Sequence, residues 1–301
     1  MAQIRHILCP VDLSEISRHA LDHALAIPEW YDARVTVFHV FSVPQPTMPL
    51  PPAMVEDLPT LRPPSVSEVA DEVRRFANLS GASPTSRANV VVVEGSAVKG
   101  ILRQAQELPA DLLVMGTHGR SGFEALFLGS VTEKVLRSTH VPVLTVPPPV
   151  ERVESVVYGT ILCPLDFSDP STKALEYALT LAEETAARLI LLHVVELLAS
   201  APHFTEVSYV NVLEYQRQIE EEALARLRSA VPEEARAWCT PEEHVVSGRA
   251  YRVILETAER EKAELIVMGV HGKGALNRRL FGSTTHHVIR EAQCPVLTLR
   301  G

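Results

Sequence analysis

The segment MGTHGRSGFEALFLGSVTEK, Met115 to Lys134, carries Gly116, Gly119 and Gly129, with Ser130 following at once. MGVHGKGALNRRLFGSTTHH, Met268 to His287, carries Gly269, Gly272 and Gly282 followed by Ser283, each 153 residues later. Glycine lets a backbone approach a phosphate with no Cβ in the way and supplies positive φ where a loop needs it. A helix opening at such a serine presents unpaired N–H groups, reinforced by its dipole, to an anion. Ser130 and Thr132, or Ser283, Thr284 and Thr285, would add hydroxyl donors. The chemistry suggested is the cradling of phosphates. Two readings need no ligand: Ser130 with Glu133 is a capping box, and paired glycines after a strand are ordinary turn chemistry. The spacing matches neither the Walker loop nor the dinucleotide GxGxxG fingerprint, so the weight rests on the motif having been written twice.

Other groups that could do chemistry are sparse. Asp12 and Asp166 close the apolar runs ILCPVD and ILCPLD, 154 residues apart. His118 and His271 sit inside the glycine loops, where a lone imidazole reads as a hydrogen-bond donor rather than a general base. His39 and His193, in VTVFHV and LILLHV, read as core histidines with a satisfied ring. No Ser/His/Asp or Cys/His constellation emerges. Cys9, Cys163, Cys239 and Cys294 show no CxxC pair and no metal-like spacing, and read as free thiols in a reducing compartment.

These residues need a scaffold. A chain of 301 residues suits two domains of about 150, each with its own core. HILCPV, ARVTVFHV, RANVVVVEG, ADLLVMG and VPVLTV are near-continuous Val/Ile/Leu runs, the mark of strands buried on both faces of a parallel sheet. Helical patterns alternate with them. Ala20, Leu21, Ala24, Leu25 and Ile27 form one helix face after Ser14; VSEVADEVRRFANLSG is a helix closed by Gly81; SAVKGILRQAQEL is another; Ser130 opens a fourth. TILCPL, RLILLHV, EEHVVSG, AELIVMG and CPVLTL repeat the strands. The expected architecture is α/β: two tandem open doubly wound domains, each a five-stranded parallel sheet with helices on both faces, over residues 1–147 and 158–301, joined by a Pro-rich linker at 148–157. FSVPQPTMPLPPAMVEDLPTLRPP, Phe41 to Pro64, is too dense in proline for helix or inner strand. In such sheets ligands bind beyond the carboxyl ends of the strands, where strand order reverses.

Charge excludes some partners. With 37 acidic and 28 basic residues the net charge is −9, and no Lys/Arg block appears, so neither nucleic acid nor an anionic membrane is an expected partner. Arg5 and Asp12 interrupt any signal-peptide core, and LILLHVVELLA from Leu189 is broken by His193 and Glu196, which points to a cytoplasmic protein.

The pattern G-x2-G-x9-G followed by Ser, placed after a fourth strand with an Asp ending the first, resembles the nucleotide-binding branch of the universal stress proteins, here in tandem and over essentially the whole chain. The resemblance implies ATP, with or without Mg²⁺, in a domain of strand order 3-2-1-4-5. It implies that Pro10, Val11, Asp12 and the backbone of Val40 surround adenine and ribose, that Met115, Gly116, His118 and Gly119 line the loop, and that Gly129, Ser130, Val131 and Thr132 take the phosphates. The matching second set is Pro164, Leu165, Asp166 and Val194, then Met268, Gly269, His271 and Gly272, then Gly282, Ser283, Thr284 and Thr285. It also implies pairing of the two domains through their last strands, Val141–Val146 and Pro295–Leu299, leaving a homodimer of whole chains and an unknown protein partner as further assemblies.

Three functions compete on these grounds: a nucleotide-dependent stress or signalling module with at most slow ATPase activity, an ATP-dependent phosphohydrolase or phosphotransferase, and an interaction protein that binds no nucleotide. Between the second and third glycines the first loop has Arg120 and Glu124, net zero, whereas the second has Lys273, Arg278 and Arg279, net plus three. Tighter triphosphate binding in the second half is therefore expected.

Overall fold

The computed structural model describes residues 4–29, 32–43, 64–79, 87–119, 128–149, 156, 158–196, 209–272 and 281–300. In the first half β1 (His6–Pro10), α1 (Glu15–Ala26), β2 (Arg34–Phe41), α2 (Val66–Phe76), β3 (Ala88–Glu94), α3 (Ala97–Glu107), β4 (Leu112–Gly116), α4 (Ser130–Ser138) and β5 (Val143–Val146) follow one another. The second half gives β6 (Thr160–Pro164), α5 (Asp169–Thr185), β7 (Arg188–Val195), α6 (Tyr209–Ala230), the short α7 (Glu233–Arg236), β8 (Glu242–Ser247), α8 (Ala250–Arg260), β9 (Leu265–Gly269), α9 (Ser283–Glu291) and β10 (Val296–Leu299).

Strand alternation builds two cores. Ile7 and Cys9 face one side with Ala20, Leu21 and Ala24 of α1 and Val69 and Val73 of α2. Leu8 and Leu113 face the other with Ile101 and Ala105 of α3 and Val135 and Leu136 of α4. Both faces are covered, which is why the inner strands β4, β5, β9 and β10 are buried along their whole length, whereas the edge strands β3 and β8 are only half-buried. Each fully buried Leu or Ile contributes roughly 1.5–3 kcal/mol. Cys9 and Cys163 are completely buried in the first of these cores, which raises their thiol pKa values well above the ordinary range.

Each half has the order 3-2-1-4-5, and the halves join into a single ten-stranded sheet, β3-β2-β1-β4-β5-β10-β9-β6-β7-β8. All pairings are parallel except the central one, where β5 and β10 run antiparallel with Leu144 opposite Leu297. There the Thr145 hydroxyl donates to the Val296 carbonyl at 3.1 Å, and the Thr298 hydroxyl donates to the Val143 carbonyl at 3.2 Å. Two strands that would each be an exposed edge thereby cover one another.

Some local expectations need adjustment. Gly81 lies outside the described residues and does not close α2; the helix ends at Phe76, and Asn78, at φ 54°, makes the left-handed turn after it. Most of the Pro-rich stretch, 44–63, and linker residues 150–155 and 157 also lie outside the described residues. Among the described residues no helix is long and apolar enough to cross a membrane.

Just beyond the linker, Tyr158 is buried against α1, its hydroxyl 2.8 Å from His23 Nδ1. Burial pushes the His23 imidazole down to about 3, and neighbouring His19 adds to the effect. The folded pKa is below the unfolded value of about 6.5. Neutral His23 therefore favours the fold fully above that pH, and the contribution is lost as pH falls toward the folded value, at about 1.4 kcal/mol per unit. Urea unfolding at pH 6.5 and 5 should show the double variant His23→Leu/Tyr158→Phe losing about 1–2 kcal/mol less stability over that interval than the wild type. An identical loss in both would mean that His23 does not carry this acid sensitivity.

Candidate functional site

In each half β1 or β6 leads to β2 or β7 on one side and lies beside β4 or β9 on the other, so the strand order reverses at its carboxyl end. A cavity opens there. In the first half it measures about 340 Å³ and in the second about 720 Å³, both within the usual span of small-molecule sites.

The floor starts with a strained turn. Leu13 and Phe167, following the two aspartates, have φ of 65° and 60°, a region that branched and bulky side chains avoid. Asp12 Oδ1 holds the turn by accepting the Ser14 N–H at 3.1 Å and the Ser14 hydroxyl at 2.5 Å. Asp166 does the same for Ser168, at 3.1 and 2.6 Å. The strand ends are then tied together: His39 Nδ1 lies 2.7 Å from the Val11 carbonyl, and His193 Nδ1 lies 2.6 Å from that of Leu165. The two strand histidines are thus satisfied, and His193 also lines the second cavity.

The second glycine of each loop passes directly over the aspartate. A Cβ at Gly119 would lie 2.9 Å from Asp12 Oδ2, and one at Gly272 would lie 2.7 Å from Asp166 Oδ2. The third glycine runs against the strand-end backbone, since a Cβ at Gly282 would sit 2.9 Å from the Val270 carbonyl. The first packs under the first helix of its half, against Ile16 or Pro170. None of the six adopts positive φ, so what the motif requires here is close approach and not left-handed backbone.

The helix after the loop opens at the serine in both halves, as expected, but not with the capping box that Ser130 and Glu133 suggested. Gly129 and Gly282, not the serines, are the N-caps, and neither end has a side-chain cap bond. The first intrahelical bonds are Glu133 N–H to Gly129 and His286 N–H to Gly282, so the N–H groups of the three residues before them have no intrahelical acceptor. Thr132 and Thr285 are buried, and their hydroxyls donate to the Gly116 and Gly269 carbonyls at 2.8 and 3.0 Å. What those threonines offer a ligand is the backbone N–H rather than the hydroxyl.

The twelve residues singled out in the first half all line the first cavity, and their twelve counterparts all line the second. Sequence reasoning passed over Ser17, Ala97 and Ile101, although Ser171, Ala250 and Ile254 repeat them and also line the second cavity. Glu196 and Arg226, which line the second cavity alone, had no such signal. Arg120, Glu124, Lys273, Arg278 and Arg279 lie outside the described residues.

Fold and site together define a duplicated open α/β domain with a cavity at each topological switch point. The chain belongs to the universal stress protein family, whose model matches residues 3–147 and again 158–300. It is 34% identical over 146 residues to a universal stress protein of Methanocaldococcus jannaschii (MJ0531), spanning 48% of this chain and 83% of that one. It is equally 34% identical over 146 residues to a universal stress protein of Thermus aquaticus, spanning 48% of this chain and all of the relative. Over both halves it is similar in fold to the crystal structure of a universal stress protein from Archaeoglobus fulgidus, with a TM-score of 0.62, 24% identity and 98% of each chain covered.

Gly272→Ala should destabilise the chain by about 1–3 kcal/mol in urea unfolding, by forcing a methyl group against a carboxylate. In an Asp166→Ala background the same substitution should cost less than half as much. An undiminished cost in that background would place the conflict elsewhere than at the carboxylate.

Proposed function

We propose that each half of this protein binds a nucleoside triphosphate, ATP in the first instance, and that occupancy sets the shape or the partners of the chain. The observation that carries this reading is the convergence, in each half, of the repeated aspartate, the three glycines and the helix start on one cavity at the switch point. A ligand lying along the cavity meets Pro10, Val11, Asp12 and Val40 at its nucleoside end. At the other end it meets the N–H groups of Ser130, Val131 and Thr132, where helix-start amides and the helix dipole favour an anion. The second half repeats the arrangement with Pro164, Leu165, Asp166 and Val194 facing Ser283, Thr284 and Thr285. Mg²⁺ bound with the nucleotide would offset phosphate charge.

The carboxylates stand at the nucleoside end and already hold the strained turn, so they are poorly placed to orient a water at a terminal phosphate. Turnover should therefore lie far below the roughly 1 s⁻¹ lower end of ordinary enzymes. The net charge of the 273–281 segment supports tighter triphosphate binding in the second half.

Titration calorimetry with ATP and Mg²⁺ should give two sites per chain, falling to one in Gly119→Val or Gly272→Val and to none in the double variant. A wild-type chain that takes up no nucleotide would contradict the reading. Two sites that survive in the double variant would move the binding away from the glycine loops.

A further inference from the structure

The two cavities differ at the nucleoside end. In the first, the lining contains one carboxylate, Asp12, and no Lys or Arg among the described residues. The second adds Glu196, just past the end of β7, and Arg226 from α6. At the position of Glu196 the first repeat has Ser42, which does not line its cavity.

Both added groups are held in place. The Arg226 guanidinium lies over the Phe167 ring, 4.0 Å from its centroid, and that ring packs against His193 with centroids 4.7 Å apart. Phe167 is the residue at positive φ next to Asp166, so the strained turn carries the platform for the arginine. Glu196 Oε1 accepts the Ala250 N–H at 2.8 Å at the start of α8. Arg226 and Glu196 do not pair with each other, and among the described residues Arg226 makes no ion pair.

A second anionic group on the ligand would suit Arg226 but meet Glu196 and Asp166. A neutral edge carrying acceptors beside donors suits the pair. Guanine has such an edge: O6 and N7 accept, matching an arginine fork, while N1–H and the N2 amino group donate, matching a carboxylate. Adenine turns an amino group toward the arginine and an acceptor, N1, toward the carboxylate. We propose that the second cavity selects a guanine nucleotide, with Arg226 donating to O6 and N7 and Glu196 accepting from N1 and N2. This rests on the nucleotide reading of the glycine loops and adds base choice to it.

The test uses the full chain carrying Gly119→Val, which confines binding to the second cavity, and measures GTP and ATP by competition calorimetry with Mg²⁺. GTP should bind about tenfold or more tightly than ATP. Arg226→Ala should remove most of that difference by weakening GTP alone, and Arg226→Lys, which keeps the charge but not the fork, should remove part of it. Inosine triphosphate, lacking the N2 amino group, should fall between GTP and ATP. Arg226 is solvent-exposed, so losing its contact with Phe167 should lower the urea midpoint only slightly in either variant, leaving the chain folded. ATP binding as tightly as GTP overturns the base assignment while leaving the nucleotide reading intact, and so does an Arg226→Ala variant that weakens both equally. Binding of neither nucleotide, in this variant or in the wild type, overturns both.

Discussion

The contact on which the site depends is between a carboxylate and a glycine. Asp12 ends the turn after β1, Gly119 belongs to the loop after β4, and no Cβ fits between them; Asp166 and Gly272 repeat the contact. One oxygen of each aspartate clamps a left-handed residue and the other lies under the loop. That closeness brings the glycine loop down on the strand ends and points the start of α4 or α9 into the cavity. The parallel sheet accounts for the location: its faces are sealed by helices, leaving the carboxyl ends as the place where N–H groups, carbonyls and side-chain polar atoms can gather.

Duplication has kept the scaffold and let the contents diverge. The antiparallel β5–β10 seam makes one sheet with pseudo-twofold order, so the two cavities are equivalent in backbone. Their side chains are not equivalent. The second cavity is about twice as large, and it gains a carboxylate from Glu196, just past β7, and a guanidinium from Arg226 of α6. Two cavities lined so differently need not take the same ligand.

Much of this was legible in the sequence because repetition filters noise. The strands, the aspartates, the strand histidines and the three glycines recur at offsets of 153 or 154 residues, while the strand order came from the family resemblance. What those glycines accommodate was not legible. Their neighbours are Asp12, Ile16, Asp166, Pro170 and strand-end carbonyls, distant in sequence, and only the folded chain reveals that a Cβ would strike them. Ser130 is the first helical residue, as its place after the glycine implied, and it is the capping-box alternative that fails, since a Ser-x-x-Glu pattern does not distinguish a capping serine from one already inside the helix. Arg226 gave no sign at all: it lies in a charged helical segment, opposite Glu72 in the first repeat, where an arginine on the surface is the ordinary expectation.

The most direct measurement is of what the protein carries from the cell. The chain would be purified without added nucleotide and denatured, and the released nucleotides quantified by chromatography and mass spectrometry. Purine nucleoside triphosphates or diphosphates in amounts between one and two per chain are the result this account predicts. A chain that releases none, and stays empty after incubation with ATP, GTP and Mg²⁺, would show that the glycine loops serve only to pack the strand ends.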